Sequence, residues 1–100
     1  MKLIDIARVI RSKNAGPTTL TLDLLFNDEA GYQHALNSPA LQPAAIASLY
    51  GLRTNQVRLI PYPPAIAIKI AMDRKIVAGN PGDRDVYGAQ QHTPLLEIEL

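Results

Sequence analysis

Large apolar residues alternate with polar or small residues in two stretches of the chain. In residues 19–26 the apolar set is Leu20, Leu22, Leu24 and Phe26, and the polar residues between them are Thr19, Thr21 and Asp23. In residues 65–72, Ile or Met alternates with Ala or Lys. Because successive side chains of a strand point to opposite faces, this period of two predicts two strands, each with one face in the core. The small alanines on the second face of residues 65–72 would let a helix or a partner surface approach closely.

The N-terminal segment has a less regular pattern. Residues 3–10 are rich in β-branched residues and are predicted as a strand, although the threefold spacing of Asp5, Arg8 and Arg11 also suits a helix. Gly and Pro together mark a turn, so residues 14–17 end this strand. The strand of residues 19–26 then runs antiparallel to it.

Two further strands are predicted in the second half of the chain. Residues 57–62 form a short strand, and Pro61 places it at an edge or a bend because proline has no N–H to donate to a neighbour. In residues 96–100, Leu or Ile alternates with Glu, which predicts a last strand with one solvent-exposed face.

Two helices are predicted between the strands. Asn27 is a suitable N-cap for a helix over residues 28–36, whose first residues are acidic as the positive helix end favours. Pro43 suits the first turn of a second helix, and Gly51 suits its C-terminal end.

The order of elements indicates the fold class. Strands and helices are segregated along the chain, which predicts a single α+β domain over residues 1–100, with an antiparallel or mixed sheet and two helices on one face. A ferredoxin-like fold or a related small sandwich fits this order best. A domain of 100 residues has a modest core, so we also expect self-association or a partner chain.

Composition excludes several classes of function. The formal net charge is only +1, so we expect no positive electrostatic field strong enough to bind nucleic acid. There is no Trp, so an aromatic platform for stacking bases is not expected either. There is no Cys, which excludes disulfides, thiolate metal sites and Cys nucleophiles. The N-terminus has no signal-peptide pattern and no apolar run approaches the ~20 residues that span a bilayer. We expect a soluble cytoplasmic protein without a cofactor.

Residues 79–94 are the strongest candidate for a functional loop, because so long a connection is not needed between strands. It is rich in groups that catalyse or bind. The predicted catalytic residues are Asp85, Tyr87 and His92, as acid, base or oxyanion donor. The predicted substrate contacts are Asp83, Arg84, Gln90 and Gln91. The alternative is structural, with the acids capping turns or pairing with Arg84 and with His92 holding the loop. No metal-site pattern is present, and no metal is predicted.

A second polar segment precedes the first turn. Two cations flank a hydroxyl there, and the next residues can expose backbone N–H groups, as in an anion-binding nest. The predicted anion-binding residues are Arg11, Ser12, Lys13, Asn14 and Gly16. The alternative is a solvated basic hairpin turn. If the first and last strands are neighbours, this segment and residues 83–92 line one cleft or interface.

These motifs resemble those of a known family. Residues 3–7 with residues 9–17, and residues 82–92, look like the bacterial small-protein family catalogued as domain of unknown function 4387, over essentially the whole chain. The opening is also similar, more distantly, to the ferredoxin-fold C-terminal domain of the acyclic terpene utilisation family. Arg11 and Ser12 match that domain, whereas Lys13 to Gly16 replace its Gly-Asp-Lys-Gly.

The second resemblance implies a small subunit beside a larger catalytic chain of the acyclic terpene utilisation type, acting on organic acids or branched acyl-CoA. Two alternatives stay open. One is a non-catalytic binding or assembly module that recognises a partner protein or an anionic metabolite. The other is an independent small homo-oligomeric enzyme.

Overall fold

A computed structural model describes residues 1–74, 92–96 and 98–100. Its central feature is a four-stranded sheet in the order β1-β2-β4-β3, with every neighbouring pair antiparallel. The principal elements in chain order are α1 (Leu3–Ile6), β1 (Ala7–Asn14), β2 (Thr19–Phe26), α2 (Glu29–Leu36), α3 (Pro43–Tyr50), β3 (Val57–Tyr62) and β4 (Ala67–Asp73).

The sheet is built from two hairpins. β1 pairs with β2, β3 pairs with β4, and the inner strands β2 and β4 pair with each other at the centre. β3 therefore lies at an edge among the described strands, where its Pro61 predicted it. The α+β class with an antiparallel sheet and two main helices is confirmed, and it is compatible with a ferredoxin-like small domain.

The two main helices begin and end close to the predicted residues. The Asp28 side chain, and not that of Asn27, caps α2 by accepting a hydrogen bond from the Gly31 N–H at 2.8 Å. Pro43 begins α3, and Gly51 follows it in the left-handed conformation with φ of 69°. Glycine reaches that conformation without the steric cost that a Cβ adds, which ends the helix at Tyr50.

Loss of the cap on α2 is expected to destabilise the protein. Asp28→Ala removes the acceptor of the Gly31 N–H, and N-cap replacements of this kind cost about 1 kcal/mol. Urea unfolding measures the difference. Asp28→Asn is the control, since its side-chain oxygen keeps the acceptor; an equal loss in both variants would show that the cap is not responsible.

The N-terminal strand prediction is wrong for its first residues. The Asp5 carboxylate accepts a hydrogen bond from the Lys2 N–H at 2.9 Å, and the Asp5 N–H donates to the Lys2 carbonyl at 3.0 Å. This local pairing closes the helical turn α1 and delays the strand to Ala7. The strand then continues to Asn14, so Arg11 to Asn14 belong to β1 and not to a turn.

The prediction of a last strand over residues 96–100 is also wrong. Within the described part of that segment, Glu99 forms one isolated bridge with Lys2 and joins no sheet strand. The Leu3 N–H donates to the Ile98 carbonyl at 3.1 Å, and the Leu100 N–H donates to the Met1 carbonyl at 2.9 Å. The C-terminal segment therefore pairs with the residues around α1 instead of extending the sheet.

The core lies between the helices and one face of the sheet. Each strand contributes inward-facing residues, and α1, α2 and α3 supply the opposing layer. Residues with no exposed surface at this interface include Leu3, Leu22, Leu24, Phe26, Ala35, Leu41, Ile46, Ile68, Ile70 and Leu95. The alternation of β2 and β4 thus buries the faces that the sequence predicts.

Candidate functional site: the open face of the sheet

The sheet has a second face, which we call the open face. Strand register arranges it in three rows that run across β1, β2, β4 and β3. The rows are Val9–Leu25–Ala67–Tyr62, Arg11–Asp23–Lys69–Ile60 and Lys13–Thr21–Ala71–Arg58.

The open face is not part of the hydrophobic core. Ala71 is buried yet does not belong to the core cluster, and neither do Val9, Leu25 or Ala67. Every described helix supplies its buried residues to the opposite face. Within residues 1–74, 92–96 and 98–100 the sheet is therefore packed by helices on one side only.

One end of the open face is apolar and exposed. The side chains of Ile60 and Tyr62 are 42% and 58% exposed, and they lie beside the small residue Ala67. A shallow groove of about 440 Å³ follows this end and runs toward the charged rows. Its lining residues are Arg11, Lys13, Asp23, Leu25, Ile60, Tyr62, Ala65, Ala67, Ile68 and Lys69.

The rest of the open face is basic. The Nε atom of Arg11 lies 3.3 Å from Oδ2 of Asp23, whose side chain is only 15% exposed. Asp23 is also the register partner of Lys69 on its other side. Lys13 and Arg58 share the next row with the small residues Thr21 and Ala71. Four cations and one carboxylate occupy the three rows, and Asp73, the register partner of Thr19 on the same face, adds a second carboxylate, which leaves an excess of two positive charges.

The predicted anion-binding segment is divided between the two faces of β1. Arg11 and Lys13 point to the open face, whereas Ser12 is 6% exposed and pairs in register with the core residue Leu22. Asn14 shares the side of Ser12. Gly16 lies in the hairpin turn with φ of 109°. The structure thus brings the two cations together and separates Ser12 and Asn14 from them; anion binding stays a prediction.

Most of the predicted catalytic loop lies outside the described residues. This holds for Asp83, Arg84, Asp85, Tyr87, Gln90 and Gln91. His92 is described: its carbonyl accepts a hydrogen bond from the Leu95 N–H at 2.9 Å, and its Nδ1 is buried without a partner among the described residues. The proximity of this loop to Arg11 stays a prediction.

Other candidate chemistry is sparse in the described part of the chain. The exposed His34 places Nε2 at 3.1 Å from the Leu100 carbonyl oxygen, so this imidazole links α2 to the C-terminal segment. Residues 1–74, 92–96 and 98–100 contain no cluster of three His, Cys, Asp or Glu side chains with metal-binding geometry. Over the same residues, no helix combines the length and the apolar character needed to cross a membrane.

Sequence reasoning missed several residues of the open face as site residues, namely Asp23, Leu25, Arg58, Ile60, Tyr62 and Lys69. A signal for them was present in the alternation of residues 65–72, whose small face predicts close approach by another surface. What the sequence did not provide was the register that aligns this face with Arg11 and Lys13, because cross-strand neighbours depend on how the two hairpins pair.

These features define a small α+β domain in which, over the part of the chain that the structure describes, helices cover one face of an antiparallel sheet and leave the other, basic and partly apolar, uncovered. The chain belongs to the family described as Domain of unknown function (DUF4387), whose model matches residues 3–99. The predicted family is therefore confirmed. No curated protein and no solved structure matches the chain.

Proposed function

We propose that this chain is a small subunit that docks through its open face onto a larger catalytic chain. The observation that carries the proposal is that the described helices pack on one side of the sheet only, with Ile60 and Tyr62 exposed on the other side. Sheets in stable domains bury their apolar faces against another layer, and exposed apolar patches mark sites of interaction. A partner protein supplies the missing layer.

The same face is poorly suited to catalysis without a partner. Within its three rows the one carboxylate, Asp23, is paired with Arg11, and the other ionisable side chains are those of Arg11, Lys13, Arg58, Lys69 and Tyr62. The groove is shallow, whereas small-molecule sites normally bury most of the ligand surface. A second protein surface laid over the groove would enclose a substrate and exclude water from it.

The identity of the larger chain rests on resemblance. The opening residues 3–7 and the pair Arg11-Ser12 are similar to a domain of the acyclic terpene utilisation family. We therefore propose a larger subunit of that type and a substrate that is an organic acid or a branched acyl-CoA. In this arrangement Arg11 and Lys13 bind the acidic end of the substrate, and Asp85, Tyr87 and His92 contribute to the reaction at the interface.

A non-catalytic binding or assembly module is the second candidate. It is favoured by the chemistry of the open face, whose excess of cations attracts and orients acidic partners. Activity of the assembled complex separates the two candidates. Loss of activity in His92→Ala with assembly intact supports the catalytic subunit, and full activity in that variant supports the module.

Docking through the open face is tested with a pair of charge insertions. Ile60→Glu places a carboxylate in the apolar end of the face and is expected to weaken the complex with the larger chain at least about tenfold, or ~1.4 kcal/mol. The affinity falls because the new carboxylate is buried in the interface without a group of opposite charge to pair with it. Co-purification followed by calorimetry measures it.

Leu49→Glu is the matched control. Leu49 is 42% exposed, as Ile60 is, but it belongs to α3 in the helix layer. We expect this variant to bind the larger chain normally. Equal affinity of both variants and the wild-type protein would contradict docking through the open face.

A further inference from the structure

The charge of the open face constrains the chemistry of the surface that covers it. Lys13, Arg58 and Lys69 form no ion pair with any residue in the described part of the chain. With Asp73 counted, the described residues of this face carry an excess of two positive charges. A covering surface must compensate these charges or hold them apart in water.

A second copy of the chain is a poor occupant for this reason. In a symmetric dimer each face meets the same patch of its partner. Two open faces would bring together six cations that form no ion pair among the described residues, and like charges across an interface select against the pairing. The arrangement that relieves this repulsion is a covering surface of opposite charge.

We propose that the open face recognises an acidic, partly apolar surface of a different protein. The inference rests on the proposed docking function and specifies the partner's chemistry. Carboxylates of the partner lie over Arg58 and Lys69 and share Lys13 with the acidic end of the substrate, and the partner's apolar side chains enter the groove beside Ile60 and Tyr62. Asp23 is excluded from these pairs, because Arg11 already satisfies it.

Register supports a broad contact of this kind. Neighbouring strands lie about 4.8 Å apart, so Lys13 on β1 and Arg58 on β3 are roughly 14 Å apart across the sheet. Thr21 and Ala71 between them are small and leave room above the sheet. The cations therefore surround a floor wide enough for a secondary-structure element rather than for a single carboxylate.

A synthetic amphipathic helical peptide tests the recognition directly. The probe has a leucine stripe edged by glutamates, and its counterpart has lysine at every glutamate position. Backbone amide shifts of the intact protein are followed by NMR as each peptide is added. We expect the acidic peptide to shift open-face residues of β1, β3 and β4, and to bind more weakly in about 0.5 M salt, where charges are screened. The lysine peptide is expected not to bind.

Neutralisation of the lysines identifies the cations that contribute. Lys13→Gln and Lys69→Gln are each expected to weaken the acidic peptide roughly two- to fivefold, the range for an exposed ion pair. Arg53→Gln is the control, because Arg53 is an exposed cation that precedes β3 and lies outside the three rows. Equal weakening in all three variants would show a general charge effect and overturn the proposal.

Three other outcomes overturn it. The lysine peptide binds as tightly as the acidic one; sedimentation shows a dimer that Ile60→Glu abolishes, which identifies a second copy; or free hexanoate shifts the same amides and binds as tightly as the peptide, which identifies a small-molecule site. The docking function fails separately, when Ile60→Glu leaves the complex with the larger chain intact. If Ile60→Glu weakens the complex but Lys13→Gln and Lys69→Gln do not, docking through the open face is supported and the proposal of an acidic partner surface is refuted.

Discussion

Phe26→Ala is expected to lower the free energy of unfolding by about 3–5 kcal/mol, the cost of deleting a large aromatic side chain from a core. Phe26 has no exposed surface, and its ring meets that of Tyr32 edge to face with centroids 6.1 Å apart. The substitution removes this contact between the sheet and α2 and leaves a cavity between them.

The loss is large relative to the whole protein. Domains of this size are stable by about 5–15 kcal/mol, and here one face of the sheet carries the core. Urea unfolding followed by circular dichroism measures the change. Tyr62→Ala is the control, since Tyr62 is 58% exposed and its replacement is expected to cost less than about 1 kcal/mol. Similar losses in the two variants would contradict a core confined to the helix side.

Alkaline pH is expected to destabilise the protein through Tyr50, at the C-terminal end of α3. Burial raises the pKa of the Tyr50 hydroxyl above its ordinary value, because the phenolate is poorly solvated there. Above about pH 10 the unfolded chain releases this proton while the folded protein retains it. The stabilising contribution is complete below that pH and is lost as the pH rises toward the folded-state pKa.

The slope of stability against pH gives the measurement. One retained proton lowers the free energy of unfolding by at most about 1.4 kcal/mol for each pH unit above pH 10. Tyr50→Phe is expected to remove this part of the slope, whatever its constant effect on stability. Tyr62→Phe, at an exposed tyrosine, is expected to keep it. Parallel slopes for the wild-type protein and Tyr50→Phe would refute the role of Tyr50.

The sequence predicted the elements whose signals are local. Pro43 and Gly51 bound α3 because one residue has its φ angle fixed and the other reaches the left-handed region freely. The alternation over residues 19–26 predicted both the strand β2 and its buried face, because a single face of that strand meets the helices. Such features do not depend on how distant parts of the chain pair.

Its errors arose where pairing or a local hydrogen bond decided the outcome. The apolar pattern of residues 3–10 suited a strand, but the Asp5 carboxylate turned their first half into α1. Residues 98–100 have no strand neighbour in the described structure because they pair with the residues around α1. In the first case a local hydrogen bond outweighed the β-branched pattern, and in the second the sequence did not show which residues the segment pairs with.

The candidate site was half predicted for the same reason. Arg11 and Lys13 were identified from their charge, but the continuation of β1 to Asn14 assigns Ser12 to the core side. Their real neighbours, Asp23 and Lys69, come from strands that only the register brings alongside. The basic face is thus a property of the assembled sheet rather than of any one motif.

Pro61 in the edge strand β3 has a consequence for the protein as a free chain. Exposed sheet edges template the addition of further strands, and an exposed proline interrupts that template because it lacks an N–H group. The like charges of the open face oppose stacking of one sheet on another. Together these two features are expected to disfavour aggregation of free copies into fibres, so the proposed small subunit would persist without its larger chain.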